Sequence, residues 1–541
     1  MRIFLSGLMG AGKTTVAKAL AARTGLPLFD VDELITAQIG GSISDFFRQS
    51  GEPAFRALEQ DTIRKLVSHE AAGIFALGGG AVTSRALRRE LLRAGFVVTL
   101  DASDEELARR VGAGEGRPVL GQFDHAGPDA VLVGRTQEVV RARLAALREQ
   151  RAEAYAECHM RVDTGQLEPE RAARTIKERA AEEPIAVPLG LRTYRVYVGN
   201  HNRHMLAARV QELGPVPSML VVSDTQVGPA WARALSTQLR SLGQTVTHLE
   251  LAPGESAKNL ESVDTIWNAA LDVGLDRSSL VIGVGGGVVG DLAGFAAATL
   301  LRGVRVAHVP TTLLSMVDSA IGGKTGFDTR HGKNLVGAFH QPSFVLCDAH
   351  MLSSLPRDER RAGLAEVVKS AWIDGEASVA QLEADADALA RGDEEATLRA
   401  IRMAAQLKAR IVTEDERESG VRAYLNLGHT LAHAIEASSG YAGIRHGEAV
   451  SIGMVAACRV ATQLGRMRES EAQRAEQLLD RLGLPTRVDP YLSDRVLSFM
   501  DADKKRKGAK VSFVAPGQPG DIALVSLPVD ELRNKYKALG A

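Results

Sequence analysis

Eight residues near the start, Gly7-Leu8-Met9-Gly10-Ala11-Gly12-Lys13-Thr14, constrain the fold of this chain more than any other stretch. They fit the pattern G-x-x-x-x-G-K-[ST], after the apolar run Arg2–Leu5 and before the helical pattern Thr15–Thr24. Such a loop functions where a strand ends and a helix begins, because the free N–H groups of the helix start then face a phosphate. Gly10, Gly12, Lys13, Thr14 and Thr15 would cradle the phosphates of ATP or GTP, with Lys13 reaching the β- and γ-phosphates. The Thr14 hydroxyl would sit on Mg²⁺. A bare glycine turn is the competing reading, and the flanking strand and helix argue against it.

The surrounding pattern supports an α/β unit. Apolar runs at Gly73–Leu77 and Phe96–Leu100 alternate with helical patterns at Leu58–Ser68, Ser84–Ala94 and Asp104–Val111, and Glu168–Glu182 reads as one more helix. This alternation predicts a parallel sheet covered by helices. At 541 residues the chain is too long for one core, since domains hold about 100–200 residues each. Pro184, Pro188 and Gly190 punctuate a linker, with the boundary near residue 185. Beyond it, β-branched runs at Tyr194–Val198, Ser218–Ser223, Thr245–Leu249, Leu280–Val284 and Val304–Val309 predict a second nucleotide-type sheet. After Leu352 the texture turns helical, as at Asp358–Trp372, Glu394–Glu414, Thr430–Ser438 and Ala449–Leu464, with strands again at Lys510–Val514 and Ala523–Ser526.

Charge and cysteine usage exclude several classes of function. Lys plus Arg number 65 against 66 Asp plus Glu, which leaves no basic field for a nucleic-acid backbone. Cys158, Cys347 and Cys458 stand far apart, which excludes a disulfide framework and a cysteine-built zinc module and fits a reducing cytoplasm. Leu280–Leu301 is long enough to span a bilayer but carries several glycines and Asp291 at its centre, so it reads as strand, glycine turn and helix.

Further motifs make the first 180 or so residues resemble shikimate kinase. Asp30-Val31-Asp32 resembles the family's Asp-x-Asp, whose second carboxylate contacts the acceptor hydroxyl and whose first lies near the metal. Phe55-Arg56-x-x-Glu59 resembles the segment whose arginine pairs with the shikimate carboxylate, and Gly78-Gly79-Gly80 the glycine turn beside that substrate. The resemblance assigns Arg117, in Gly116-Arg117-Pro118, to a lid over the transferring phosphoryl group. It places Arg110 over the adenine and gives Arg151 as a second carboxylate-binding arginine. Glu153 stands where the family usually has proline, and the run Gly121–Gly134 after the lid is unusual. Lys13, Asp32 and Arg117 are the implied catalytic residues.

From about Arg192 onward the chain resembles 3-dehydroquinate synthase, through motifs that fall in that family's order. Pro253-Gly254-Glu255-x-x-Lys258, the run Gly285–Asp291, Pro310-Thr311-Thr312 and Asp318-Ser319-x-x-Gly322-Gly323-Lys324-Thr325 carry the likeness. It implies NAD⁺ held by Asp224, Glu255, Lys258, Gly287, Asp291, Thr311, Thr312 and Lys333, although Gln226 stands where asparagine is usual. It also implies Zn²⁺ or Co²⁺ on Glu366, His429 and His446, each embedded in a matching motif. Arg302, Asp318, Lys324, Asn334, Lys369, Arg422 and Lys505 become substrate contacts. Lys324, Lys369 and His433 are the implied catalytic groups, His433 handling protons and Lys408 being a weaker candidate. The helical spacing of Glu366 and Lys369, and of His429 and His433, lets each pair project toward a common site.

The two resemblances imply a kinase-like domain at 1–182, a linker at 183–190, a Rossmann-like NAD-binding domain at 191–350 and a mostly helical metal and substrate domain at 351–541. The implied chemistry is ATP-dependent phosphorylation of shikimate together with cyclisation of 3-deoxy-arabino-heptulosonate 7-phosphate to 3-dehydroquinate and phosphate. In the second reaction NAD⁺ oxidises an alcohol, phosphate is eliminated, the hydride returns and the ring closes. A cytoplasmic enzyme that binds neither nucleic acid nor membrane is expected, with a tendency to self-associate through its C-terminal half. Three other readings stay open on the residues alone: a nucleotide-gated switch in the first half, a polyol dehydrogenase in the second, and cyclisation of a different sugar phosphate.

Overall fold

The computed structural model describes residues 1–112, 137–440, 443–500 and 510–540. The chain divides into two compact units, Met1–Arg195 and Val196–Ala541.

In the first unit the strands are β1 (Arg2–Ser6), β2 (Leu28–Asp30), β3 (Gly73–Ala76), β4 (Phe96–Asp101) and β5 (Met160–Asp163). They form a sheet in the order β2-β3-β1-β4-β5, and every pairing is parallel. The central strand β1 is buried on both faces, which explains why it reads as an unbroken apolar run rather than an alternation. The helices are α1 (Lys13–Thr24), α2 (Val31–Ile39), α3 (Ile43–His69), α4 (Arg85–Ala94), α5 (Asp104–Val111), α6 (Gln137–Ala156) and α7 (Pro169–Ala181). Asp30, Ser42, Ser84 and Ser103 cap the starts of α2, α3, α4 and α5 through side-chain oxygens that accept backbone N–H bonds. Helix α3 begins 15 residues before the pattern at Leu58 indicates, because Gly51 (φ 80°) breaks the helix and interrupts the periodicity. The residues expected as linker include a short strand, β6 (Ile185–Val187).

The second unit is built on β7 (Tyr194–Gly199), β8 (Ser218–Asp224), β9 (Thr245–Leu251), β10 (Leu280–Gly285), β11 (Arg305–Pro310) and β14 (Phe344–Asp348). These run β7-β14-β11-β10-β8-β9 across the sheet. A separate antiparallel hairpin, β12 (Lys324–Thr329) with β13 (Gly332–Phe339), interrupts the alternation before β14. Its lysines, glycines and asparagine give no period-two apolar signal, so the sequence reading does not find it. Around the sheet lie α8 (Leu206–Gln211), α9 (Arg233–Arg240), α10 (Leu260–Asp272) and α11 (Gly287–Thr299). Leu280–Leu301 is thus strand, glycine turn and helix, as expected. The helical region follows with α12 (Arg357–Asp374), α13 (Glu376–Arg391), α14 (Glu394–Glu414), α15 (His429–Ser438), α16 (His446–Gln463) and α17 (Glu469–Arg481), and β15 (Lys510–Pro516) pairs with β16 (Ile522–Pro528) near its end. No helix among the described residues is long and apolar enough to cross a membrane.

Candidate functional sites

At the C-terminal end of β1 the chain turns through three glycines with positive φ, Gly7, Gly10 and Gly12. A Cβ on Gly7 would collide with the carbonyl of Leu100, and one on Gly10 would press against Val111 at 2.9 Å, so the loop passes where only glycine fits. Gly12 stands at the N-terminus of α1 with no side-chain cap, leaving the first-turn N–H groups for a ligand. Lys13 Nζ donates to the carbonyls of Gly7 (3.0 Å) and Leu8 (3.1 Å), which holds the ammonium over the loop. Thr14 Oγ1 donates to Asp30 Oδ2 at 2.9 Å, pairing the hydroxyl expected on Mg²⁺ with the carboxylate expected near it. Thr15 is exposed on α1. Arg110 Nη1 donates to Gly10 O at 3.4 Å, so this arginine lies alongside the loop.

The turn Gly78-Gly79-Gly80 sits among the other expected acceptor residues. A Cβ on Gly78 would lie 3.1 Å from Asp32 Oδ1, one on Gly79 would lie 3.3 Å from Gly7 O, and one on Gly80 would run into the Arg56 guanidinium. Arg151 Nη1 and Tyr155 Oη both donate to the carbonyl of Gly79, at 2.9 and 2.5 Å. Asp32, Arg56, Gly78, Gly79, Gly80 and Arg151 therefore converge beside the phosphate loop. Glu59 joins them, fully buried, with Oε2 on Arg56 Nη1 at 2.7 Å and Oε1 without a hydrogen-bond partner among the described residues. Burial raises its pKa against the opposing pull of Arg56. The motif around Arg56 contains Glu59, but nothing in the sequence marks it as buried. Arg117 and the unusual 121–134 stretch lie outside the described residues.

In the second unit the glycine turn after β10 leads into α11, whose N-terminus at Gly286 again lacks a side-chain cap. Thr311 N donates to Gly285 O at 2.9 Å, and a Cβ on Gly286 would lie 3.0 Å from Thr312 Cγ2, so the Thr311-Thr312 turn packs against the glycines. Asp224 closes the end of β8 by accepting the N–H groups of Gln226 and Val227. A cavity of about 490 Å³ opens beside this edge, lined by Glu255, Lys258, Gly287, Asp291, Asp318, Lys333, Asn334, His433, Glu436 and His446 among others. Lys258 pairs with Asp291 at 2.5 Å and donates to Asn334 Oδ1 at 2.6 Å, while Lys333 pairs with Glu255 at 3.0 Å. Burial raises the pKa of Asp291, only partly offset by Lys258.

Three helices supply the metal-type cluster. Glu366 comes from the buried middle of α12, His429 from the first residue of α15 and His446 from the first residue of α16. Glu366 Oε1 lies 3.6 Å from His429 Nε2 and 3.5 Å from His446 Nε2, and one donor atom from each residue falls within 4.8 Å of the others. Glu366 is 1% exposed and its Oε1 has no hydrogen-bond partner among the described residues, an arrangement that a cation between the three groups would satisfy. His429 Nδ1 faces the carbonyl of Leu427 at 3.2 Å, which directs Nε2 inward, and burial with Lys369 nearby lowers its pKa to about 3. Burial opposes a charge on His446, but Glu366 and Glu436 outweigh it and raise the pKa to about 10. Glu436, 3.4 Å behind His446 Nδ1, is the residue that sequence reasoning missed; its place on α15 seven residues after His429 is the only signal.

Cations surround this cluster. Lys369, buried on α12, pairs with Glu366 one turn away. Lys408 contacts both the carboxylate and, at 2.7 Å, the carbonyl of Asp318; burial lowers its pKa to about 8 against the pull of Asp318. Lys324 pairs with Glu418, and Arg422, 1% exposed, donates to Gly322 O at 3.0 Å. The His433 ring stands 5.3 Å from that of His429. Arg302 is exposed on a turn with φ 65°. Lys505 lies outside the described residues.

Three stretches of the chain match models of known families. Residues 9–181 match the family model of shikimate kinase, 248–362 that of the 3-dehydroquinate synthase N-terminal part, and 363–506 that of its C-terminal part. A 3-dehydroquinate synthase of Nostoc punctiforme is 42% identical over 359 residues, 66% of this chain and 99% of that protein. One of Caulobacter vibrioides is 42% identical over 64% of this chain and 95% of its own length. Among solved structures, a 2-deoxy-scyllo-inosose synthase complexed with carbaglucose-6-phosphate, NAD⁺ and Co²⁺ is 26% identical with a TM-score of 0.58, covering 64% of this chain and 97% of that one. A 2-epi-5-epi-valiolone synthase from Streptomyces hygroscopicus with NAD⁺ and Zn²⁺ bound is 27% identical with a TM-score of 0.57, covering 64% and 96%. The chain belongs to the 3-dehydroquinate synthase family and carries a shikimate kinase domain fused in front of it.

Proposed function

We propose that this chain is a bifunctional enzyme of the shikimate pathway, a shikimate kinase followed by a 3-dehydroquinate synthase. The kinase reading is carried by the convergence of Asp32, Arg56 and Arg151 on the Gly78–Gly80 turn beside the phosphate loop. The Asp32 carboxylate orients the acceptor hydroxyl and takes its proton, while Arg56 and Arg151 hold the acceptor's carboxylate in bidentate fashion. Mg-ATP sits on the loop through Lys13, Thr14 and the N-terminus of α1, and its transfer needs positioning more than covalent help.

The synthase reading is carried by the Glu366, His429 and His446 cluster opening beside the NAD-type cavity. When bound there, NAD⁺ removes and returns a hydride and a divalent cation polarises the substrate oxygen. Asp318 accepts hydrogen bonds from substrate hydroxyls, with Lys408 holding its carboxylate ionised. Lys324, Lys369, Asn334 and Arg422 bind the phosphate, carboxylate and hydroxyls, and His433 moves protons at the reacting carbon. Zn²⁺ and Co²⁺ both suit two imidazoles and one carboxylate.

Two assays test this pair. Full-length protein with Mg-ATP forms ADP in response to shikimate, and Arg56→Ala lowers kcat/KM by about 100-fold, the value of a lost charge-assisted bidentate contact. ATP binding without shikimate-dependent ADP formation would leave a nucleotide switch. The second half releases phosphate from 3-deoxy-arabino-heptulosonate 7-phosphate with no net change at the NADH absorbance band; accumulating NADH would instead mean a dehydrogenase.

A further inference from the structure

We propose that the segment Leu189–Arg195, which leads into the synthase, is a positioning element for the acceptor glycines of the kinase, acting through Glu157 and Arg88. The inference rests on the kinase reading of the Gly78–Gly80 turn. Preceded by Pro188 and carrying Gly190, this stretch would be a loose tether, yet it is closed on itself. Leu189 N donates to Thr193 Oγ1 at 3.0 Å, and Thr193 donates back to the carbonyl of Gly190 through both its N–H (3.1 Å) and its hydroxyl (2.6 Å). Gly190 has φ 61°, and a Cβ there would stand 3.3 Å from the Glu153 carboxyl group.

From this turn a continuous line of polar contacts runs to the acceptor site. Gly190 N donates to Glu157 Oε1 at 3.0 Å. The other oxygen of Glu157 accepts from Arg88 Nε at 2.8 Å, and the two side chains are only 7% and 9% exposed. Arg88 Nη1 donates in turn to the carbonyls of Val82 (2.6 Å) and Thr83 (3.0 Å), in the helical turn that directly follows Gly80. That turn is tied back to the glycines, because Ala81 N donates to Gly78 O and Thr83 Oγ1 to Gly80 O. A second line reaches the same glycines from the other side. Arg195 donates to the carbonyls of Cys158 (2.8 Å) and His159 (3.2 Å), just past the end of α6, the helix that presents Arg151 and Tyr155 to Gly79 O.

The physical case is one of satisfaction and rigidity. Three successive glycines have no side chains with which to hold themselves in place, so their position depends on what grips the adjoining carbonyls. A buried carboxylate that loses one of its donors is costly and relaxes toward a new partner, and Arg88 would follow it. Arg88 and Glu157 are thus positioning residues, and the joining segment supplies the N–H that completes them.

The test uses the full-length protein and the variants Gly190→Ala, Glu157→Gln and their combination. Gly190→Ala disfavours the positive φ and crowds Glu153 without altering any charge. Hydrogen exchange of peptides covering residues 78–83 is read beside shikimate and ATP kinetics. In both single variants, exchange in this segment is expected to accelerate by about tenfold while the core strands β1 and β4 keep their protection. The KM for shikimate is expected to rise about fivefold or more, with the KM for ATP and the synthase rate unchanged, and the double variant to be no worse than the worse single. Unchanged exchange at 78–83 in Gly190→Ala would overturn the proposal, whether or not the protein turns over shikimate. Acceleration spread evenly over the whole unit would overturn it too, since the contacts would then serve stability alone. If wild-type protein shows no shikimate turnover, the kinase reading fails, and the exchange result still decides the coupling.

Discussion

Single residues show how burial decides which groups matter. Glu436 lies behind a ligating histidine, and such outer carboxylates fix the ring and raise its basicity, so Glu436→Gln is expected to weaken Co²⁺ binding by about 10–100-fold in a titration followed by visible absorption. His159 gives a pH prediction in the first unit. Its buried ring accepts the Val97 N–H through Nδ1 at 3.0 Å, so it must stay neutral there, and burial with Arg195 nearby lowers its pKa to about 3. The unfolded chain binds that proton near pH 6.5 while the folded chain does not, so stability is full above this pH and falls as the pH drops toward 3. The slope approaches about 1.4 kcal/mol per pH unit. Hydrogen exchange at Val97 between pH 7 and 5 measures it, and His159→Asn, which keeps an acceptor at the Nδ1 position, is expected to flatten the dependence. Neither sits in a motif: Glu436 is signalled only by its place seven residues after His429 and His159 by nothing, since both matter through what the fold packs against them.

At the scale of elements, the convergence of three helices on the metal-type cluster depends on two glycines of α16. A Cβ on Gly447 would strike the backbone of Ala362 in α12, and one on Gly453 would strike the carbonyl of Gly428, the cap of α15. These close approaches bring Glu366, His429 and His446 within reach of one ion. Gly447→Ala therefore forces α12 and α16 apart, with an expected cost of about 1–3 kcal/mol in urea denaturation and a loss of Co²⁺ affinity measured by the same titration. Elements with a strong period were legible from sequence: the strands β1, β4 and β10 and the helices α12, α14 and α16 fall close to where their apolar patterns indicate. The hairpin β12–β13 and the first half of α3 were not, the first because polar and glycine residues fill it and the second because Gly51 breaks its phase. For the sites, a fixed-spacing motif yielded the phosphate loop, and the family resemblance the three metal-type residues. Of the partners that complete them, Glu59 stands in the motif around Arg56 without any sign of its burial, while Glu418 and Glu436 reach Lys324 and His446 through the packing of separate elements.

At the scale of the whole molecule, the division into two compact units predicts two activities that fail separately. Arg56→Ala is expected to leave phosphate release from 3-deoxy-arabino-heptulosonate 7-phosphate within about twofold of wild type, and Glu366→Ala to leave shikimate-dependent ADP formation equally untouched. Coupled losses in the paired assays would show instead that the units communicate. The joining region carries a further consequence for how such a fusion can come apart. Strand β7 opens at Tyr194, which is fully buried, and the side chain of the next residue, Arg195, serves the carbonyls of Cys158 and His159. A protease nick or a gene split placed before residue 189 would therefore strip the first unit of the ties that Gly190 and Arg195 make to Glu157, Cys158 and His159, whereas one placed after Arg195 would leave them whole.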